Sequence, residues 1–243
     1  MPWWYHVVES RHDLQNPTSA EKVRLLGERL GLGPHSHVLD MGSGRGGPAV
    51  LLAGAFHCRI TLVERSEEFL GEARRRAAST GLTDLLEFVR ADGREFQIAP
   101  ERYDAALCLG ATFIWGGLAG TLRALRPGVK PGGHVAAGEP YWRRSPLPDG
   151  YRPDEDEQFA TLLETVARFE AEGLAPISLI ASSEDDWDRY ESLHWLALEE
   201  WLPQHRDDPD AEAFRERLAR QRERYLRWER ELVGWAIIAG RKG

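Results

Sequence analysis

Short apolar runs alternate with amphipathic segments along the first two thirds of the chain. Five runs, at 37–41, 58–63, 85–91, 103–109 and 134–138, are too short for helices and rich enough in branched and aromatic residues to be strands. The fourth, YDAALCL, is apolar almost throughout, as a strand covered on both faces should be. Between them, 48–56, 66–80 and 118–125 read as helices, the second capped by Ser66 and the third stopped near Pro127, ahead of a KPGG turn. An earlier helix opens at Thr18, whose spacing to Glu21 is that of a capping box, with Val23, Leu25, Leu26 and Leu30 as its stripe. Strictly alternating strands and helices predict an α/β fold with a parallel sheet.

The last third is different. A helix is expected over 154–172, with Phe159, Leu162, Leu163, Val166 and Phe169 on one face, then a sixth strand at 175–181 and a seventh at 233–239. Between those strands Trp187, Tyr190, His194, Trp195, Leu198 and Trp201 recur at steps of three and four, and a charged helix follows over 210–231. A minimal sheet does not need these residues, so 184–231 is expected to be a helical cap inserted between the sixth and seventh strands. For Trp195, Leu198 and Trp201 the docking of two helices together is the stronger reading. At the other end, residues 1–17 carry Trp3, Trp4, Tyr5, His6 and His12 with no clear period.

Composition narrows the class. The 243 residues suit one domain over 1–243. A net charge of −8 without a basic face disfavours nucleic acid as partner. Cys58 and Cys108 stand alone, giving neither a disulfide framework nor a metal site, and no apolar run approaches a membrane span. A cytoplasmic enzyme of small molecules, not bound to a membrane and without a metal, is therefore expected; nothing in the sequence speaks to its oligomeric state.

The chemistry concentrates at 37–53, HVLDMGSGRGGPAVLLA: a strand, an acid, four glycines within six residues, and a helix start. Gly42, Gly44 and Gly46 fit one phosphate- or nucleoside-binding spacing, whereas Gly42, Gly44 and Gly47 fit the G-x-G-x-x-G of dinucleotide folds, with Glu64 at the distance of their ribose acid. Charge separates the two. A pyrophosphate over this turn would be repelled by Asp40, whereas S-adenosylmethionine, with a sulfonium and an ammonium against one carboxylate, suits a cleft rimmed by acids. Asp40, Glu64 and Asp92 each end an apolar run.

With these residues in view the chain resembles the class I methyltransferases over 18–142. By position, the resemblance implies that Asp40, Gly42, Ser43, Gly44 and Gly46 hold the methionine part of the cofactor. It implies that Glu64, with Arg65 beside it, bonds the ribose, that Ala91, Asp92 and Gly93 reach the adenine, and that Gly110 completes the cleft. It also implies a seven-stranded, doubly wound, Rossmann-like sheet of order 3-2-1-4-5-7-6 with the last strand antiparallel, and a leader that often serves as a lid; a tail packed by its tryptophans is the alternative for 1–17. The segments CLGATFIWGG (108–117), GEPYWR (138–143) and DDWDRYESLHWL (185–196) are similar to those of a bacterial subgroup of the family.

The expected activity is methyl transfer from S-adenosylmethionine to an O, N or S atom of a small molecule. Thr112, Trp115, Trp142 and Trp187 are candidates for the acceptor side, and His12, Glu139 and Tyr141 for a general base. Two alternatives stay open at this point: an NAD(P)-dependent oxidoreductase using the second glycine spacing, and an S-adenosylmethionine-binding module without catalysis.

Overall fold

The computed structural model describes residues 3–154 and 157–243. Seven strands form one sheet: β1 (His37–Met41), β2 (Arg59–Glu64), β3 (Leu86–Arg90), β4 (Tyr103–Leu109), β5 (Val129–Trp142), β6 (Leu174–Ala181) and β7 (Val233–Lys242). Their order is β3-β2-β1-β4-β5-β7-β6, with β7 antiparallel to both neighbours, as the resemblance implies. Helices α2 (Ala20–Arg29), α3 (Gly47–Phe56) and α4 (Glu67–Thr80) cover one face, where Val23, Leu26, Leu52 and Ala73 are buried on Val38, Ile60 and Leu107. The other face takes α5 (Leu118–Leu125) and α6 (Leu162–Ala171) through Leu118, Leu122 and Phe169. The inner strands therefore lie between two apolar layers, which is why β4 carries almost no polar residue, whereas the edge strands β3 and β6 stay partly exposed.

Three boundaries differ from the sequence expectation. The helix expected from 154 begins only at Leu162, because Thr161 and Glu164 close a capping box there; residues 155–156 lie outside the described part. Helix α2 is capped one residue late: the Ser19 hydroxyl accepts from the Lys22 amide, and Thr18 is buried beside it. Strand β5 runs on past 138 to Trp142, paired to β7 from His134↔Arg241 to Trp142↔Val233. Pro140 is tolerated in it because β4 has ended at Leu109, leaving no partner on that side to need its missing N–H.

The leader, whose sequence shows no clear period, is ordered and packed. Residues Trp3–Val8 form a helix, α1, whose Trp4, Val7 and Val8 pack on Leu198 of α7 (Glu184–Trp201) and on Phe214 and Leu218 of α8 (Ala211–Arg224). Trp195 and Trp201 join that cluster, so part of the aromatic stripe does dock helices together. Helix α7 starts at a Ser183–Asp186 capping box, and the buried Asp186 also pairs with Lys22 and Arg189, which ties the insertion to α2. Among the described residues no helix is long and apolar enough to cross a membrane.

Candidate active site

The C-terminal ends of β1, β2 and β4 open onto a cavity of about 730 Å³. Its floor is the turn after β1. Gly42, Gly44 and Gly46 all have positive φ (68°, 53° and 73°), the left-handed region that favours glycine, and this bends the chain from Met41 into α3. Gly46 caps α3 and packs so close to Ala73 of α4 that a Cβ would collide with it, so its part is in helix packing rather than in the cavity wall.

The strand-end acids converge here. Asp40 is 2 % exposed, and its Oδ2 finds no protein partner. Burial, and then the charge of Glu64, push its carboxyl up to about 7. Glu64 accepts the Gly44 amide on Oε2 at 3.0 Å and the Ser66 amide on Oε1 at 2.8 Å, which fixes the carboxylate against the turn with lone pairs left over. Asp92 accepts the Arg94 side chain at 2.9 Å and its amide at 3.0 Å, and these bonds hold it down at about 2. Ser43, Arg65, Ala91, Gly93 and Gly110 also line the cavity.

The buried and unpartnered Asp40 Oδ2 and Ser43 Oγ call for polar partners that the protein does not supply. Bare glycine backbone, an acid set for vicinal hydroxyls and unpaired acceptors for an ammonium fit S-adenosylmethionine. The guanidinium of the turn, Arg45, is turned to the Glu9 carbonyl and Glu72 and does not line the cavity, so it is not offered to a pyrophosphate.

Leader residues close the cavity from above. The Gln15 carbonyl accepts the Arg45 amide at 2.7 Å and lies over Gly44, while Asn16 donates to the Leu109 carbonyl at 2.9 Å and lies over Gly110. The Asp13 carbonyl sits against Gly47, and Arg76 donates to the carbonyls of His12 and Asp13 at 3.2 and 3.3 Å. A Cβ on any of these three glycines would strike the leader. From α7, Trp187 and Tyr190 complete the wall.

Of the acceptor-side candidates, Trp187 alone lines the cavity. Trp142 packs with Tyr151 and Phe159, and Trp115 packs into the core beneath α5. Thr112 is buried, its carbonyl accepting the Thr121 hydroxyl at 3.1 Å. Phe113, Ile114 and Pro140, neighbours of the named residues, face the space instead.

The three candidate bases lie behind the wall. His12 is fully buried, 2.9 Å from the Tyr190 carbonyl and stacked near His194 at 4.5 Å, and burial pulls it down to about 4. Tyr141 lies across Gly234 on the neighbouring strand. Glu139 bonds Thr112, and burial raises its pKa. Glu9, which sequence reasoning did not single out, does reach the cavity: it is 6 % exposed, bonded by Gln15 and by the Tyr190 hydroxyl. Its partners are far away in sequence, so no local spacing marks it.

A family model of the methyltransferase domain matches residues 38–133. The Escherichia coli K12 protein YjhP is 33 % identical over 98 % of each chain, and its X-ray structure superposes with a TM-score of 0.90. The S-adenosylmethionine-dependent methyltransferase of Geobacter sulfurreducens, solved with S-adenosyl-L-homocysteine, is 34 % identical, with a TM-score of 0.90 over 99 % of this chain and 98 % of that one. The corresponding enzyme of Thiobacillus denitrificans, also solved with S-adenosyl-L-homocysteine, is 33 % identical over the same shares, again with a TM-score of 0.90. With the glycine turn, the converging strand-end acids and the sheet order already in place, these likenesses show that the chain belongs to the class I S-adenosylmethionine-dependent methyltransferases.

Proposed function

We propose that the enzyme methylates an O, N or S atom of a small molecule held between the cofactor and the roof made by residues 3–17 and the insertion 184–231. The observation that carries this is the enclosure: the leader lies directly on Gly44, Gly47 and Gly110, so the methyl-bearing end of the cleft is covered and a nucleic acid or folded protein has no groove in which to lie. The net charge of −8 points the same way.

When bound, the cofactor supplies a methyl group activated on a sulfonium. Asp40, Ser43 and the glycine turn would hold its methionine part, Glu64 its ribose, and the Asp92 end its adenine. The chain's own work is then alignment and exclusion of water, and holding two reactants in line is worth several kcal/mol of barrier. An aromatic and aliphatic wall of Phe113, Ile114, Pro140, Trp187 and Trp235 suits that task.

Incubating the enzyme with methyl-labelled S-adenosylmethionine and a cell extract separated into small-molecule, protein and nucleic-acid fractions tests the substrate class. Label is expected among the small molecules. Label confined to protein or nucleic acid would overturn the reading.

A further inference from the structure

The acceptor end of the cavity is lined by a carboxylate that the cofactor does not need. Glu9, on the leader, is 6 % exposed and is bonded only by neutral donors, the Gln15 amide and the Tyr190 hydroxyl. Among the described residues no cationic side chain forms a salt bridge to it. The nearby Arg45 guanidinium is committed to the Glu9 carbonyl and to Glu72. Tyr190, which bonds this carboxylate, packs edge to face on Trp187 at 6.2 Å, and Tyr5 lines the same cavity.

The charge of the whole lining has the same sign. Asp13 and Asp92 lie in the lining but are paired with Arg76 and Arg94, and burial pushes the Asp40 carboxyl up to about 7, which leaves the carboxylates of Glu9 and Glu64 against the guanidinium of Arg65. That guanidinium is exposed at the β2 end. S-adenosylmethionine brings one net positive charge, which balances the lining as a whole, so the charge that discriminates among acceptors is the local one at Glu9. An anionic acceptor would meet the Glu9 carboxylate beside the His194 ring and an Arg45 guanidinium already held by the Glu9 carbonyl and Glu72. A cation would meet both a carboxylate and ring faces, the two environments that attract an ammonium.

We infer that the acceptor is a small amine, received as its ammonium by Glu9 and the rings of this cavity. The inference rests on the proposed methyl transfer in this cavity and narrows it to nitrogen. The ammonium gives one proton to the Glu9 carboxylate, which frees the nitrogen lone pair. That pair forms the new N–C bond while the electrons of the methyl–sulfur bond stay on sulfur, leaving a neutral thioether and a methylated ammonium. Glu9 then returns its proton to water, so one proton is released per turnover. Burial raises the Glu9 pKa, which favours a carboxyl able to take that proton, while the Gln15 bond, the charges of His194 and Arg45 and the Tyr190 bond oppose the shift.

The test is calorimetry on the protein saturated with S-adenosylhomocysteine, using three probes of one shape: phenethylammonium, 2-phenylethanol and phenylacetate. The amine is expected to bind about tenfold more tightly than the alcohol, and the acid most weakly. Glu9→Gln, which keeps the shape and the hydrogen bonding, is expected to erase the amine's advantage while S-adenosylhomocysteine affinity stays within about twofold. The inference is overturned if wild type shows no preference for the amine, including no binding of any probe, or if the preference survives in Glu9→Gln. The wild-type order alone decides the matter should the variant not fold. Failure of S-adenosylhomocysteine itself to bind would instead strike the methyltransferase reading.

Discussion

Asp40 carries the most unusual electrostatics of the cleft, a buried carboxyl pushed up to about 7 by its burial and by Glu64. Its folded pKa lies above its ordinary value of 3.8, so the native state holds the proton more tightly than the unfolded chain does. Its stabilising contribution is complete below 3.8 and is lost as the pH rises through about 7. The melting temperature of the ligand-free enzyme, measured against that of Asp40→Asn, should therefore fall between about pH 5 and pH 7 and level off above. A constant difference across that range would show that Asp40 is ionised throughout. Glu64 works differently, as a carboxylate fixed by the Gly44 and Ser66 amides with capacity to spare. Charge-assisted bonds to two ribose hydroxyls are worth about 1.5 to 3 kcal/mol, so Glu64→Ala should weaken S-adenosylhomocysteine binding by roughly ten- to a hundredfold. Unchanged affinity by calorimetry would make Glu64 a brace for the turn alone. These acids were legible in the sequence because each ends an apolar run. Glu9 and Tyr190 were not, since they meet only when the leader and α7 fold against each other.

Among the elements, the leader has the most to reveal. Gly47 opens α3 and would need no unusual backbone as alanine, yet a Cβ there would collide with the Asp13 carbonyl. Gly47→Ala should therefore push the leader off the cavity while leaving α3 in place, and trypsin should cut after Arg11 faster than in wild type. An unchanged cleavage rate would mean that the leader is not held by this contact. The strands β1, β2 and β4 could be read as short apolar runs because they are buried on both faces and bounded by turn residues, and β3, at the edge, from its branched and aromatic residues. The extension of β5 could not, because Gly138 and Pro140 look like a loop and the pairing that straightens them comes from β7, far along the chain. The start of α6 was available in the Thr161–Glu164 spacing, but Phe159 and Leu162 continue the helical period across that boundary and mask it. Helix α1 was hidden for another reason: six residues are too few to show a period, and its apolar side is defined by the cluster it meets on α7 and α8.

At the scale of the whole molecule, a sheet common to many chemistries carries two additions, the leader before β1 and the insertion between β6 and β7. The leader and the insertion share the cluster of Trp4, Val8, Leu198 and Phe214, and Asp186 ties the insertion to α2, so roof and sheet are continuous. Below that roof the lining meets a cationic nucleoside with acids and bare glycine backbone, and this match is the central claim. A ligand bound only by the native state adds RT ln(1 + [L]/Kd), about 2.7 kcal/mol at a hundredfold excess over Kd. The most direct test is the thermal unfolding of the enzyme with S-adenosylhomocysteine and, separately, with NADH at equal concentration. A rise in melting temperature with S-adenosylhomocysteine and none with NADH is predicted; equal rises, or a rise with NADH alone, would contradict the account.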